Sequence, residues 1–240
     1  MEQVIGENLR RVRRNVWRAA RRAGRDPQAI RIVAVSKGVS VAAIRAAQVA
    51  GQRLFGENRV QEFISKYKEL GDAVEWHFVG YLQRNKVKHL AGRISLLHSL
   101  DRWPLAVALD HWAREKGSVF DALVQVNVAR EPTKHGLLEE ELPDFLAAVA
   151  GLPGVRIRGL MTVAPYVLDP EEVRPLFRRL KELAVIHRRY AGVNLEFISM
   201  GMSNDYVVAV EEGANLLRIG TAIFGPRGAK GEERHGQKTR

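Results

Sequence analysis

The sequence predicts an α/β fold, a single-domain TIM (β/α)8 barrel, on the basis of three observations. Short apolar, β-branched runs recur eight times along the 240 residues. Helix-like stretches separate these runs, and such alternation is typical of a parallel sheet covered by helices. Eight such units in about 225 residues also fit the strand number and length of this barrel. A doubly wound open sheet is the alternative.

The strands are predicted, in chain order, at 30–37, 53–57, 75–80, 94–100, 120–128, 155–164, 195–201 and 215–225. Helices are predicted between them, for example over 40–51, 103–117 and 170–192. Ser40 is placed to cap the first of these, Pro104 fits the first turn of the second, and Pro175 marks a first turn or a kink in the third. A helix precedes the first strand and none of substance follows the eighth. We therefore expect the N-terminal helix to cover the barrel wall left open at the end.

The charge balance is basic, with 38 Lys and Arg against 27 Asp and Glu and a formal net charge of +11. Much of the excess lies in the first 25 residues, where Leu9, Val12 and Val16 recur at helical spacing. This pattern favours an amphipathic helix with a solvated basic face over a targeting or nucleic-acid-binding segment. Residues 228–240 lack apolar periodicity, so we predict a disordered basic tail after a barrel domain over 1–227.

The chain has no cysteine, which excludes disulfides, thiolate catalysis and cysteine-ligated zinc. This absence favours a cytoplasmic protein. No apolar run approaches the roughly 18 residues of a membrane span, so no membrane partner is expected. His77 and His98 lack the spacing of metal ligands and are interpreted as hydrogen-bonded residues near the barrel mouth. No metal site is predicted.

Polar and glycine residues concentrate at the predicted carboxyl ends of the strands, while the opposite ends show no comparable set. Chemistry in a TIM barrel collects at the carboxyl ends, and phosphate groups tend to bind between the loops after strands seven and eight. Ser199 and Ser203 follow strand seven, and Ser203 is interpreted as the N-cap of the next helix. Gly220 and Thr221 follow strand eight. Together the two loops predict a phosphate cradle.

Lys37 ends the first strand, which neighbours the eighth in a closed barrel and therefore lies near this cradle. With Arg218 on the adjacent strand, the arrangement suggests a phosphorylated aldehyde held on the lysine amine as a Schiff base. Pyridoxal 5'-phosphate (PLP) is the common cofactor of this kind. Glu57, at the end of the second strand, fits either a base or an ion-pair partner.

Eight motifs run through the chain from about residue 32 to residue 224. They are AVSK, FGENRVQE, WHFVGYLQRNK, HSLDR, VNVAREPTKHG, GLMTVAP, SMGMSNDY and RIGTAIFG. In content and order they resemble the pyridoxal phosphate homeostasis proteins, also called the YggS/PROSC family. The resemblance implies a barrel similar to the N-terminal domain of alanine racemase, with PLP bound to Lys37.

The same resemblance implies a role for six further residues. Ser199, Ser203, Gly220 and Thr221 correspond to the phosphate site, Arg218 to the partner of the pyridine nitrogen, and Asn58 to a position near the cofactor. Tyr81 stands where bacterial relatives often have proline, so a different local loop shape is expected there.

We expect a carrier or regulator rather than an enzyme. An arginine beside the pyridine nitrogen disfavours the protonated ring that accepts carbanion charge. Alanine racemase has such an arginine, but it also uses a second, β-rich domain that supplies a tyrosine, and we expect no such domain here. The hypothesis is a monomer that binds PLP reversibly, buffers its level and passes it to apo-enzymes. The alternative is a weak PLP-dependent amino-acid racemase acting through Lys37, and a nucleic-acid-binding module has only the net charge in its favour.

Overall fold

Eight parallel strands form a closed barrel, in the order β1 to β8, in the computed structural model of the chain. The structure describes residues 1–189 and 194–226. The strands are β1 (Arg31–Val35), β2 (Leu54–Glu57), β3 (Glu75–Phe78), β4 (Leu96–Leu100), β5 (Phe120–Gln125), β6 (Val155–Met161), β7 (Phe197–Ser199) and β8 (Leu216–Ile219). The predicted TIM barrel is confirmed, and the open sheet is excluded because β1 pairs with β8.

Helices cover the outside of this barrel. They are α1 (Glu2–Arg22), α2 (Val41–Val49), α3 (Val60–Leu70), α4 (Trp103–Glu115), α5 (Leu142–Val149), α6 (Arg174–Ile186), α7 (Tyr206–Glu211) and α8 (Thr221–Phe224). Between β3 and β4 the chain forms a 3-10 helix at Arg84–His89 instead of an α-helix. Val87 and Leu90 are both fully buried there, and their spacing of three residues matches the 3-10 repeat.

The N-terminal helix takes the place of the outer helix that β8 lacks, as predicted. Its buried stripe consists of Ile5, Leu9, Val12, Val16, Ala19 and Ala20. The Asn8 side-chain amide donates to the carbonyl of Ile223 at 2.9 Å, and that of Asn15 donates to the Tyr206 hydroxyl at 2.9 Å. These contacts join α1 to α8 and α7. Because α8 has only four residues, α1 supplies the cover for this side of the barrel.

Two of the predicted helices keep their bounds to within two residues. The Ser40 Oγ accepts a hydrogen bond from the backbone N–H of Ala43 at 3.3 Å, and Pro104 lies in the first turn of α4. The third, over 170–192, divides into a 3-10 helix at Pro170–Val173 and then α6, with Pro175 in the first turn of α6. The predicted tail over 228–240 lies outside the described residues.

The barrel interior is apolar in its middle and charged at the amino-terminal end of the strands. The apolar cluster consists of Val33, Leu54, Leu96, Leu123, Met161 and Leu216. Below it, Arg31 contacts Glu75 at 2.7 Å and Arg158 contacts Asp121 at 2.9 Å. The sequence shows no set at this end comparable to the polar and glycine residues of the carboxyl ends, and the structure places ion pairs there instead. Each strand contributes only one or two of these charged residues. In the sequence they cannot be distinguished from the solvent-exposed charged residues that commonly begin a strand.

His77 and His98 lie inside the barrel rather than at its mouth. They belong to β3 and β4, and their side chains are 1% and 0% exposed. They are hydrogen-bonded, as predicted, and the two rings bond to each other. No helix of the described residues is long and apolar enough to cross a membrane.

Candidate functional site

A cavity of about 430 Å³ opens at the carboxyl ends of the strands. Its volume lies within the range of cavities that hold small ligands. It is lined by Val35, Lys37, Val39, Asn58, Val79, Val163, Pro165, Tyr166, Met202, Ser203, Asn204, Asp205, Arg218, Gly220, Thr221, Phe224 and Gly225. An apolar wall thus faces a small number of polar groups, and two of these groups are the side chains of a lysine and an arginine.

The structure brings six of the seven predicted site residues to this one cavity. They are Lys37, Asn58, Ser203, Arg218, Gly220 and Thr221. The seventh, Ser199, is fully buried and does not line the cavity. Its hydroxyl accepts a hydrogen bond from Nη1 of Arg218 at 2.6 Å. In this position Ser199 holds the guanidinium from below.

Lys37 lies in a turn directly after β1, between two residues that are fixed from outside the turn. The backbone N–H of Ser36 continues the strand pairing by donating to the carbonyl of Gly56 at 2.9 Å. The backbone N–H of Gly38 donates to the Glu62 carboxylate at 2.7 Å. The backbone on both sides of Lys37 is therefore anchored, which limits where its amine can lie.

A buried ion pair completes this anchoring. Lys66 Nζ contacts the Glu57 carboxylate at 2.7 Å and the Ser36 carbonyl at 2.6 Å, and the Ser36 hydroxyl donates to Glu57 at 2.6 Å. Burial raises the pKa of Glu57, while Lys66 and Ser36 act in the opposite direction. Of the two interpretations of Glu57 left open by the sequence, the ion-pair partner is the one observed.

Lys66 and Glu62 were missed by the sequence reasoning, although a signal was present. The buried face of α3 consists of Val60, Phe63, Lys66 and Leu70, so a lysine stands at a core position of an amphipathic helix. A lysine there requires a buried acidic partner. Glu57 on the preceding strand meets this requirement, and the partly exposed Glu62, one turn earlier on the helix, adds a second contact.

Arg218 lies at the floor of the cavity and is 5% exposed. Besides its contact with Ser199, its Nη2 donates to the Thr162 carbonyl at 2.7 Å. Burial lowers the pKa of Arg218 to about 10, while the carboxylate of Asp205 acts in the opposite direction. The side chain is therefore a cation at neutral pH, held in a fixed orientation by two acceptors.

The loops after β7 and β8 are joined by Ser203. Its Oγ accepts a hydrogen bond from the backbone N–H of Ala222 at 3.1 Å, which leaves the hydroxyl proton available to a ligand in the cavity. The prediction that Ser203 caps the following helix is wrong, since α7 begins at Tyr206 and its N-cap is Asp205. The Asp205 carboxylate instead accepts from the backbone N–H of Met202 at 2.6 Å, and this bond keeps the turn tight.

The turn after β7 requires glycine at position 201. Gly201 has φ +88°, and a Cβ there would lie 2.6 Å from the Cβ of Ala209. We expect Gly201→Ala to lower the free energy of unfolding by roughly 2 to 3 kcal/mol, from left-handed strain plus overpacking. Urea unfolding measures the change. Gly117→Ala is the matched control, because Gly117 has φ +58° with nothing within 4 Å, and equal losses in the two variants would refute the packing contribution.

Tyr81 lies in the loop after β3 and contacts two side chains from other parts of the chain. Its ring stacks on His135 with centroids 4.2 Å apart, and the guanidinium of Arg102 lies 4.3 Å from its centroid. The sandwich ties the loop after β3 to the loop that follows β5. A proline could not form it, since it has no aromatic face, and the difference in loop shape from the relatives stays a prediction.

Comparisons with known proteins agree with this geometry. The family described as alanine racemase, N-terminal domain, matches residues 8–228. A pyridoxal phosphate homeostasis protein of Aquifex aeolicus (strain VF5) is 46% identical over 222 residues, which cover 92% of this chain and 97% of that protein. The protein of the same name from Escherichia coli (strain K12) is 40% identical over 232 residues, covering 93% and 97%.

Solved structures give the same result. The structure of PipY from Synechococcus elongatus PCC7942 with PLP bound is 38% identical, superposes with a TM-score of 0.80 and covers 92% of this chain and 100% of that one. The alanine racemase of Corynebacterium glutamicum is 17% identical with a TM-score of 0.66 and covers 97% and 64%. At that identity the second likeness concerns the fold alone.

Proposed function

The chain belongs to the alanine racemase N-terminal domain family and, within it, to the pyridoxal phosphate homeostasis proteins, and we propose that it binds PLP reversibly as a Schiff base on Lys37. Its function is then to maintain intracellular PLP, a form of vitamin B6. One observation carries this proposal: Lys37, Arg218 and the two small-residue loops after β7 and β8 line a single cavity. The names of the relatives, and the PLP in the solved PipY structure, support the same cofactor.

The polar groups of the cavity fit the three reactive parts of PLP, which are an aldehyde, a phosphate and a pyridine nitrogen. Lys37 provides the amine for the aldehyde. The Ser203 and Thr221 hydroxyls, with the backbone at Gly220, provide donors for the phosphate, and Asn58, after β2, lines the same cavity. PLP, when bound, supplies a ring that can withdraw electrons from an attached amine.

The charge of Arg218 favours a carrier over a catalyst. A guanidinium that stays protonated at neutral pH, when placed beside the pyridine nitrogen, disfavours protonation of the ring by like-charge repulsion. An unprotonated ring is a weak electron sink, so the bound cofactor is held without strong activation. We therefore assign Arg218 two roles, the binding of PLP and the suppression of reactions that need a protonated PLP ring.

Transfer to other proteins forms the second part of the proposal. We assign the protein to the cytoplasm as a monomer that passes PLP to apo-enzymes. The loop after β6 supports this, since its Tyr166 and Leu168 are 81% and 89% exposed beside the cavity and offer an apolar contact surface to a recipient. The barrel wall is covered by α1 of the same chain and needs no second copy for this purpose.

The test is to add PLP to the purified chain and follow the visible absorbance. We expect a band from the Schiff base, loss of the band on dialysis, and recovery of activity when the loaded protein is mixed with an apo-form of a PLP enzyme. Absence of the band would refute PLP binding. A band without recovery of the recipient beyond that given by free PLP would refute transfer.

A second candidate function, slow amino-acid racemisation, is favoured by the presence of Tyr166 in the cavity lining. A racemase needs two proton-transferring groups, and Lys37 and Tyr166 could fill these positions. Incubation of the loaded protein with L- or D-alanine distinguishes the two functions. Steady conversion over many turnovers would establish the racemase and overturn the carrier, whereas conversion of less than one equivalent supports the carrier.

A further inference from the structure

A continuous series of polar side chains crosses the barrel interior from its amino-terminal end to the cavity. Glu75 Oε1 lies 3.4 Å from Nε2 of His77, and Nδ1 of His77 lies 2.9 Å from Nε2 of His98. Nδ1 of His98 lies 2.9 Å from the Ser199 hydroxyl, which in turn accepts from Arg218 at 2.6 Å. These five residues are called the donor chain below. Both histidines and Ser199 are at most 1% exposed, whereas the Glu75 side chain is 38% exposed.

The two ends of the donor chain fix the direction of every bond within it. A guanidinium only donates and an ionised carboxylate only accepts. Since Arg218 donates to Ser199, the Ser199 proton is directed to Nδ1 of His98. His98 is then protonated at Nε2 and donates to Nδ1 of His77, which is likewise protonated at Nε2 and donates to Glu75.

The reverse arrangement is unfavourable at both ends. If His98 carried its proton on Nδ1, the two lone pairs of Ser199 would be taken by His98 and Arg218, and the Ser199 proton would have no acceptor within the chain. His77 would then be protonated on Nδ1 and would direct the lone pair of Nε2 at the Glu75 carboxylate. This repulsion is unfavourable, because the His77 ring is buried and the low dielectric around it strengthens the interaction with Glu75.

Electrostatics support neutral histidines in the donor chain. Burial lowers the pKa of His98 well below its usual value, and the neighbouring His77 and Arg218 act in the same direction. Burial also lowers the pKa of His77, although Glu75 opposes this effect. The pKa of Glu75 is lowered to about 2, and the largest cause is the hydrogen bond with His77. Arg31 lowers this pKa further, whereas burial raises it. The Ser95 hydroxyl also donates to Glu75, at 3.1 Å.

We propose that the four members of the donor chain below Arg218 are positioning residues for its guanidinium. Ser199 accepts from Arg218 with a lone pair and donates its own proton to His98, and His98 can accept this proton because the carboxylate at the far end sets the tautomers. The remaining N–H groups of Arg218 are thereby left to the ligand. The consequence for PLP rests on the proposed function, whereas the tautomers are a property of the protein alone.

Nitrogen NMR of the apo-protein tests the tautomers directly. Long-range ¹H–¹⁵N spectra at pH 7 are expected to show both histidines neutral and protonated at Nε2. An Nδ1-protonated or doubly protonated ring at either position would overturn the proposal. In Glu75→Ala the carboxylate is lost far from the cavity, and we expect a mixture of tautomers at His98, which Glu75 does not contact. A single unchanged tautomer there would show that Glu75 does not set the direction.

A PLP titration of Ser199→Ala tests the positioning. Alanine breaks the donor chain next to Arg218, and we expect the dissociation constant of PLP to rise about tenfold while the Lys37 band persists, since one hydrogen bond from a charged donor is lost. Ser95→Ala, which also contacts Glu75 but lies outside the donor chain, is the control and should bind PLP as the wild type does. Unchanged affinity in Ser199→Ala would refute the positioning role. Failure of the wild type to bind PLP would refute the proposed function. The histidine tautomers measured by NMR in the apo-protein would then still test the donor chain by themselves.

Discussion

Replacement of Lys37 by alanine is expected to abolish the visible absorption band that the wild-type chain develops with PLP. The amine of Lys37 is the nucleophile assigned to the cofactor aldehyde, and alanine has no group that can form this bond. The anchoring around the turn stays intact, because Ser36 and Gly38 are held through their own backbone atoms and the Ser36 hydroxyl. The loss should therefore be complete and should occur without unfolding. Absorbance and circular dichroism measure the two separately.

Two controls make this result specific. Lys88→Ala removes an exposed lysine outside the cavity and should leave the band unchanged. Borohydride reduction of the loaded wild type, followed by peptide mass spectrometry, should place the cofactor on the peptide that contains Lys37. A band that survives in Lys37→Ala, or a modified peptide elsewhere, would contradict the assignment.

The barrel was predictable from sequence because the same pattern, a strand-like run followed by a helix-like stretch, is repeated along the chain. Each strand is a short β-branched run and each helix an amphipathic stretch, so an error at one boundary leaves the order of the elements unchanged. The closing contact was predictable for the same reason, since eight such units fit a closed ring. Boundaries were less accurate: strand eight was predicted over 215–225, but the chain leaves the sheet after Ile219 and forms α8 at Thr221–Phe224.

The candidate site was only partly predictable, because sequence position does not give the direction of a side chain. Ser199 and Ser203 lie four residues apart in one motif, yet the first holds Arg218 from within the core and the second joins two loops at the cavity. The donor chain was not predicted because its members are spread over four strands, with two on β3 and one each on β4, β7 and β8. Its histidines are neutral polar residues inside a barrel, and only their distances identify them as a connected series.

Replacement of Lys66 by methionine is expected to be the most destabilising single change among those considered. Methionine has a similar length and fills the same volume, but it leaves the Glu57 carboxylate buried without its cation. Removing one partner of a buried ion pair typically costs about 3 to 5 kcal/mol. Urea unfolding should show a loss of this size at pH 8. Lys68→Met, on the exposed face of the same helix, is the matched control and should change stability by less than about 0.5 kcal/mol.

The loss in Lys66→Met should depend on pH with a defined sign. Burial raises the pKa of Glu57 in the folded chain, and removal of Lys66 removes the largest effect that opposes this rise. A carboxyl whose folded pKa exceeds its unfolded value of about 4.3 binds its proton more tightly in the folded state. Its contribution is therefore full below about pH 4.3 and is lost as the pH rises through the folded pKa. The difference between variant and wild type should be smaller at pH 5 than at pH 8, and the opposite order would contradict a buried, unpaired Glu57.

A double variant separates the ion pair from its effect on Lys37. In Lys66→Met with Glu57→Leu no charge is left unpaired in the core, so part of the lost stability should return. The Ser36 carbonyl has nevertheless lost its contact with Lys66, and the Ser36 hydroxyl has lost Glu57. The turn is then held by the backbone bonds of Ser36 and by the contact from Glu62 to Gly38. We therefore expect a variant that is more stable than Lys66→Met and still binds PLP more weakly than the wild type. If affinity returned together with stability, the ion pair would serve the core alone and would have no part in placing Lys37.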